Sequence, residues 1–249
     1  MSAGEVKSKI RREVWSTLTD KGVLGFPFKA FGRIPNFRGS ERAATLLCAS
    51  NEFKLAAVVK VNPDSPQRMV RKRCLEEGKT LIMPTPRMRQ GFLLIDPKRV
   101  GDASEASSIS GAFRMGELVH PRELPQIDLL VFGSVAVAPD GARIGKGEGY
   151  AELEYAILRH FGKVSSQTPI FTTVHPLQVV DRIPLEEFDV CLDSYFTPES
   201  RFNAQGMRSR PRGIIWRLLP EKKLREIPLL QELAKEEGVQ THVDHTTRL

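Results

Sequence analysis

A mainly apolar run, Leu129 to Val137, leads into Arg143-Ile-Gly-Lys-Gly-Glu-Gly-Tyr150, and a helix-patterned segment follows. This order of strand, glycine-rich loop and helix constrains the fold more than any other feature. Gly145, Gly147 and Gly149 lack a Cβ, so the backbone can turn tightly, reach positive φ and bring several N–H groups to one anion. The following helix adds the positive end of its dipole. Lys146 lies inside the loop, where its charge suits a nucleotide phosphate, and Glu148 and Glu152 are placed to orient a metal or a lysine. The same spacing also serves tight turns in which glycine supplies only unusual φ, so the motif alone leaves both readings open. No Gly-Lys-Ser/Thr ends the loop, and its third glycine comes one residue too early for a dinucleotide fingerprint.

The rest of the chain repeats the alternation. Val6, Ile10, Val14 and Leu18 form one stripe of a helix over 5–20, and Lys7 and Arg11, four apart, share a face where they could clamp an anion or simply be solvated. Phe26 to Ser40, broken by Pro and Gly yet rich in Phe, reads as an ordered loop packed on the body. Helix over Glu41 to Ser50, strand over Ala56 to Val61, helix over Gln67 to Glu77 stopped by Gly78, and strand over Thr80 to Met83 come next. The signal is weak from Gly91 to Pro125. Strand from Leu129 to Val137, helix from Ala151 to Phe161, and strands Ile170 to Val174 and Val190 to Phe196 then predict an α/β fold with a largely parallel central sheet flanked by helices. Gly213 to Leu218 reads as an added strand, Glu221 to Glu237 as a helix broken or started at Pro228, and Gln240 to Leu249 as a polar tail.

At 249 residues with 41% hydrophobic and 27% charged residues, the chain can bury a substantial core. No apolar run is long enough to cross a membrane and Met1 to Ile10 lacks a secretory signal's apolar core, so a cytoplasmic protein without membrane contact is expected. Cys48, Cys74 and Cys191 are too scattered for a disulfide framework or zinc ribbon. The net charge of +7 points to anionic partners, whether nucleotides, polyglutamylated small molecules or nucleic acid. Much of it lies near Arg201, Arg208, Arg210, Arg212, Arg217, Lys222, Lys223 and Arg225; a solvated basic face explains this without RNA, for which no motif is present. His175, at a strand's carboxyl end, reads as structural more readily than as an acid or ligand. His242 and His245 fall in the polar tail. Arg33, Asn36 and Arg38 could hold a carboxylate or phosphate, or could be solvated around an anchoring Phe37.

Lys7 with Arg11, Lys79-Thr-Leu-Ile-Met-Pro84, and Asp128 through Tyr150 resemble, in their order and spacing, the 5-formyltetrahydrofolate cyclo-ligase family. Arg33 to Ser40, Gly133 to Val137 and Arg143 to Tyr155 resemble one subgroup of it still more closely. The resemblance covers roughly residues 5 to 200. It implies a cyclo-ligase-like α/β domain over 1–200, with 201–249 a basic extension packed on it, and an enzyme that uses ATP and Mg to convert 5-formyltetrahydrofolate to 5,10-methenyltetrahydrofolate. Carried over by position, it assigns Lys7, Arg11, Arg143, Gly145, Lys146, Gly147, Glu148, Gly149 and Tyr150 to ATP, Glu152 and Asp189 to magnesium, and Asp64 with Tyr150 to the substrate. It names no catalytic residue.

The chain departs from the family pattern at three points. Ala151 replaces the second of two aromatics, Glu148 a basic residue, and Glu152 an aspartate. The expected partners are therefore ATP and a folate or related heterocycle; the alternative is a paralogue that keeps the fold as a nucleotide- or RNA-binding module.

Overall fold

The computed structural model describes residues 1–206 and 210–239. Arg208, the tail from Gln240, His242 and His245 lie outside the described residues.

The chain opens with helix α1 (Ala3–Asp20), started by a capping box in which the Ser2 hydroxyl accepts from the Glu5 N–H and the Glu5 carboxylate accepts from the Ser2 N–H. After the Phe-rich loop come α2 (Ser40–Cys48), α3 (Asn51–Leu55), β1 (Val58–Val61), α4 (Arg68–Glu76) and β2 (Thr80–Pro84). The weakly patterned stretch holds β3 (Phe92–Ile95), α5 (Ala103–Ala106), α6 (Ile109–Met115) and β4 (Glu117–Val119). Next are β5 (Leu129–Phe132), β6 (Ala136–Val137), β7 (Arg143–Ile144), α7 (Tyr150–His160), β8 (Ile170–Thr173), β9 (Ser194–Phe196), β10 (Arg201–Asn203), α8 (Glu221–Glu226) and α9 (Pro228–Glu236).

One eight-stranded sheet runs in the order β10-β9-β8-β5-β1-β2-β3-β4. It is mixed. The strands from β9 to β2 pair in parallel, while β10 at one edge and β3 and β4 at the other pair antiparallel. The expected largely parallel sheet therefore holds only for the centre, because three- and four-residue edge strands carry too little periodicity to be read. Two further expectations are corrected. The run from Leu129 breaks after Phe132, and Ala136–Val137 instead pairs with Arg143–Ile144 in a separate hairpin. Gly213 to Leu218 forms no strand; Trp216–Leu218 is a single 3₁₀ turn.

Period-two alternation sends the side chains of the central strands to opposite faces. Leu129 and Val131 meet Val59, Val61 and the α2 and α4 side, whereas Leu130 and Phe132 meet α7 and α9 through Ile157, Leu158, Leu230 and Leu233. A third cluster seats α1 on the β6–β7 hairpin through Val14, Leu18, Ala136 and Ile144. That packing carries Lys7 and Arg11 to the glycine loop.

Arg71, on α4, is buried and spends its guanidinium on backbone, donating to Ser107 O at 2.8 Å, Asn62 O at 2.5 Å and Asp64 O at 3.0 Å. It pins the turn after β1. Arg71→Met leaves these carbonyls without their donor and is expected to cost about 2–3 kcal/mol in a urea titration. A loss under about 0.5 kcal/mol, the usual range for a surface change, would contradict this.

Candidate functional site

Two cavities flank the glycine loop. The larger, about 370 Å³, lies between α1, the loop, the start of α7 and the segment 186–189. The smaller, about 320 Å³, lies on the other side, against the turn after β1, the turn after β2 and the Phe-rich loop. Arg143, Gly145, Glu148, Gly149 and Glu152 line both, so they form a shared wall.

Gly147 has φ 103° and Gly149, the residue before α7, has φ 64°. A side chain at either position would be strained. Gly149 offers α7 no side-chain cap, so the first N–H groups of that helix are left for an incoming acceptor.

Two cations of α1 face this wall. Arg11 donates from Nε to Gly145 O at 2.7 Å, and a Cβ on Gly147 would lie 3.4 Å from its Cζ. Lys7 is buried and its ammonium meets Asp189 Oδ2 at 2.5 Å and Glu186 Oε2 at 2.7 Å. Burial raises the Asp189 carboxyl above its ordinary value despite Lys7. Among the described residues both hydrogen bonds to the Asp189 carboxylate arrive at Oδ2, the second from the Glu186 N–H, and Oδ1 takes none.

Within the wall, Arg143 projects from β7, buried against the Phe132 ring. It donates to Glu152 Oε1 at 2.5 Å and to Gly133 O at 3.1 Å. Burial works against ionisation of Glu152, but Arg143, a backbone hydrogen bond and Lys7 together hold the carboxyl below its ordinary value. Lys146 opens onto the smaller cavity rather than the larger, and pairs with Glu148 at 2.7 Å. Tyr150 and Asp64 also line the smaller cavity. The structure thus gathers Lys7, Arg11, Gly147 and Asp189 on one side and Lys146, Tyr150 and Asp64 on the other.

Asp64 is packed so closely on Gly133 that a Cβ there would lie 2.4 Å from its Oδ2. Burial pushes its carboxyl above the ordinary value, against the opposing pull of Lys146, Arg71, Lys60 and Arg143. A raised carboxyl stabilises the fold fully below the unfolded pKa, and that contribution is lost as pH rises through the folded value. Asp64→Asn has no such loss. Its melting temperature is expected to gain on the parent's as pH rises above about 4; a difference independent of pH would overturn the assignment.

Several features escape the sequence reading. Arg87 lines the smaller cavity from a turn in which it and Met88 adopt φ 56° and 55°. Left-handed backbone costs about 1–2 kcal/mol per residue, here offset by Thr85, whose hydroxyl donates to Gly91 O and accepts from the Gln90 N–H, both at 3.1 Å. Lys60 and Glu154 form a buried ion pair beside that cavity, joined by Asn62. Its one sequence signal is a lysine inside Val58-Val-Lys-Val61. The larger cavity also takes a wall from residues 211–223.

Other residues singled out in the sequence stand elsewhere. Phe37 is buried and anchors its loop, Arg33 reaches the smaller cavity, and Asn36 donates to Phe26 O at 2.9 Å. His175 lines neither cavity and caps a 3₁₀ turn by accepting from the Leu177 N–H at 3.1 Å. The basic C-terminal residues are largely dispersed in ion pairs, Arg201 with Glu52, Arg210 with Asp193, Arg217 with Glu187 and Arg225 with Glu221. Among the described residues no helix is long and apolar enough to cross a membrane.

The chain as a whole is similar to several known proteins. Methenyltetrahydrofolate synthase domain-containing protein from Bos taurus is 40% identical over 242 residues, spanning 94% of this chain and 63% of the relative. Its counterpart from Homo sapiens is 38% identical over 245 residues, spanning 95% and 63%. The chain thus matches somewhat less than two thirds of the length of these relatives. The NMR structure of Aquifex aeolicus 5,10-methenyltetrahydrofolate synthetase shares the fold, with a TM-score of 0.52 at 23% identity over 82% of this chain and 95% of that one. The sequence pattern of the 5-formyltetrahydrofolate cyclo-ligase family matches residues 3–198, and the chain belongs to that family.

Proposed function

We propose that this chain is an ATP-dependent ligase acting on a reduced folate or a related heterocycle, with ATP in the larger cavity and the acceptor in the smaller. The observation that carries the reading is the shared wall: a phosphoryl donor and its acceptor need adjoining compartments, and Arg143 with the glycine loop faces both. Phosphorylation of a formyl oxygen turns it into a leaving group, after which a second nitrogen of the heterocycle closes the ring.

This chain's residues divide the work. Arg11 and the loop N–H groups bind the phosphate chain, and Arg143 stabilises charge where the phosphoryl group crosses. Asp64, whose carboxyl burial pushes above its ordinary value, lines the smaller cavity as a hydrogen-bonding partner for the acceptor. Magnesium, when bound, neutralises phosphate charge. Among the described residues no three acidic, His or Cys side chains make a metal site unaided, yet Glu152 and the unclaimed Oδ1 of Asp189 fit an ion held mainly by phosphate oxygens and water.

Purified protein with ATP, Mg²⁺ and 5-formyltetrahydrofolate tests the reading, followed by absorbance of the methenyl product and by ADP release. Both signals together are the expected result. ATP binding with neither signal would favour the alternative of a nucleotide-binding paralogue, to which Ala151 and the Lys146–Glu148 pair lend support, since they remove an aromatic face and neutralise the loop's own cation.

A further inference from the structure

The larger cavity has a wall that the family pattern does not reach. The match ends at residue 198, whereas Pro211, Ile214, Ile215, Leu219 and Lys223 close the side of the cavity facing Arg11 and the glycine loop. The segment is held in place. Arg210 donates to Cys191 O, Ser166 O and Thr168 O and pairs with Asp193 at 2.5 Å, and Ile227, Leu230 and Leu233 are buried in the core beyond it.

Lys223 is unlike its neighbours on α8. Lys222 reaches Glu226 at 3.9 Å and Arg225 reaches Glu221 at 3.9 Å, but among the described residues no carboxylate lies within 4.0 Å of the Lys223 ammonium. Instead Nζ donates to Glu148 O and stands 3.7 Å from the centroid of the Tyr150 ring. Glu152, Glu148, Glu154 and Glu226, which attract it from further off, are already paired with Arg143, Lys146, Lys60 and Lys222. Its position is also the unfavourable one for a cation. A Cβ on Gly149 would lie 3.8 Å from Nζ, so the ammonium sits at the amino end of α7, whose dipole repels positive charge. Arg11, which lines the same cavity, likewise has no carboxylate within 4.0 Å among the described residues. Two cations attracted to carboxylates only at longer range, Lys223 to Glu152 and Glu148 and Arg11 to Glu152, Asp189 and Glu186, converge with an uncapped helix start on one loop, where a polyanion would meet all of them together.

We infer that residues 211–223 complete the nucleotide site: Lys223 contacts the phosphate chain opposite Arg11, and Ile214, Ile215 and Leu219 form the apolar wall against the base. This rests on the reading of the larger cavity as the ATP site. Burial lowers the Lys223 pKa, and an anion bound beside it would oppose that shift.

Calorimetric titration of ATP and of adenosine into the parent, Lys223→Met and Lys223→Arg tests it. The expected result is a 10- to 100-fold loss of ATP affinity in Lys223→Met, about one or two charged contacts' worth, with adenosine affinity unchanged and ATP affinity partly restored in Lys223→Arg. Parent-like ATP binding by a folded Lys223→Met would overturn the inference and leave the cavity's assignment intact, as would equal losses for ATP and adenosine. Absence of ATP binding by the parent would overturn both. Amide exchange in the unaltered protein needs no variant: saturating ATP should slow exchange over residues 213–226, and unchanged exchange there would refute the added wall.

Discussion

Lys7→Ala combined with Arg11→Ala is expected to weaken ATP binding by about 10²- to 10⁴-fold. A hydrogen bond to a charged group contributes about 1.5–3 kcal/mol, and two of them removed together give about 3–6 kcal/mol, which sets that range. The two residues act differently. Among the described residues Arg11 has no acidic partner within 4.0 Å, and it reaches the loop directly, so Arg11→Ala alone should account for most of the loss in affinity. Lys7 is committed to Asp189 and Glu186, and its removal leaves two carboxylates facing the cavity without their cation. Their repulsion of phosphate should make the second substitution costlier without Mg²⁺ than with it. Calorimetry at two Mg²⁺ concentrations separates these contributions. Undiminished affinity in a folded double variant would remove the larger cavity as the ATP site.

Glu154→Leu is expected to lower stability by about 3–5 kcal/mol, because it strands the Lys60 ammonium inside the protein. Lys60 is fully buried between the Phe132 ring and the start of α7, and its partners are Glu154 and Asn62. Burial pushes the Lys60 ammonium down and the Glu154 carboxyl up, each toward neutrality, and mutual attraction opposes both shifts. Replacing the pair together, Lys60→Met with Glu154→Leu, should recover most of the loss, since apolar substitutes for buried pairs are often neutral or stabilising. Denaturant titration of the single and double variants decides it. A double variant as unstable as Glu154→Leu would locate the loss in packing rather than in charge.

The central elements were legible because each has length and a clear period. The stripe Val6 to Leu18 marks α1, Gly78 ends α4's turn, and the apolar runs of β1, β5 and β8 are bounded by turn residues. What failed lies where local signal is short or divided. β3 and β4 are recognisable only once β2 pairs with β3, and the break after Phe132 follows from Gly133 passing under Asp64, a contact between residues far apart in sequence. Gly213-Ile-Ile-Trp216 has the composition of a strand, but packing against the larger cavity makes it a wall. The candidate site divides the same way. Lys7, Arg11, Asp64, Glu152 and Asp189 were reached through family spacing, whereas Arg87, Glu154 and Lys223 depend on contacts that no single segment announces.

The larger cavity draws its sides from residues 4–11, 143–156, 186–189 and 211–223. During synthesis, α1 leaves the ribosome long before its last counterpart exists, and no early stretch of chain can assemble this compartment alone. The compartment is complete only once Lys223 has been made and docked. The contact that closes the compartment thus spans most of the chain, the kind of long loop closure that comes late because its entropy must be met before the contact repays it. A nascent chain halted before residue 211 would already display the glycine loop yet lack the wall that encloses the cavity beside it.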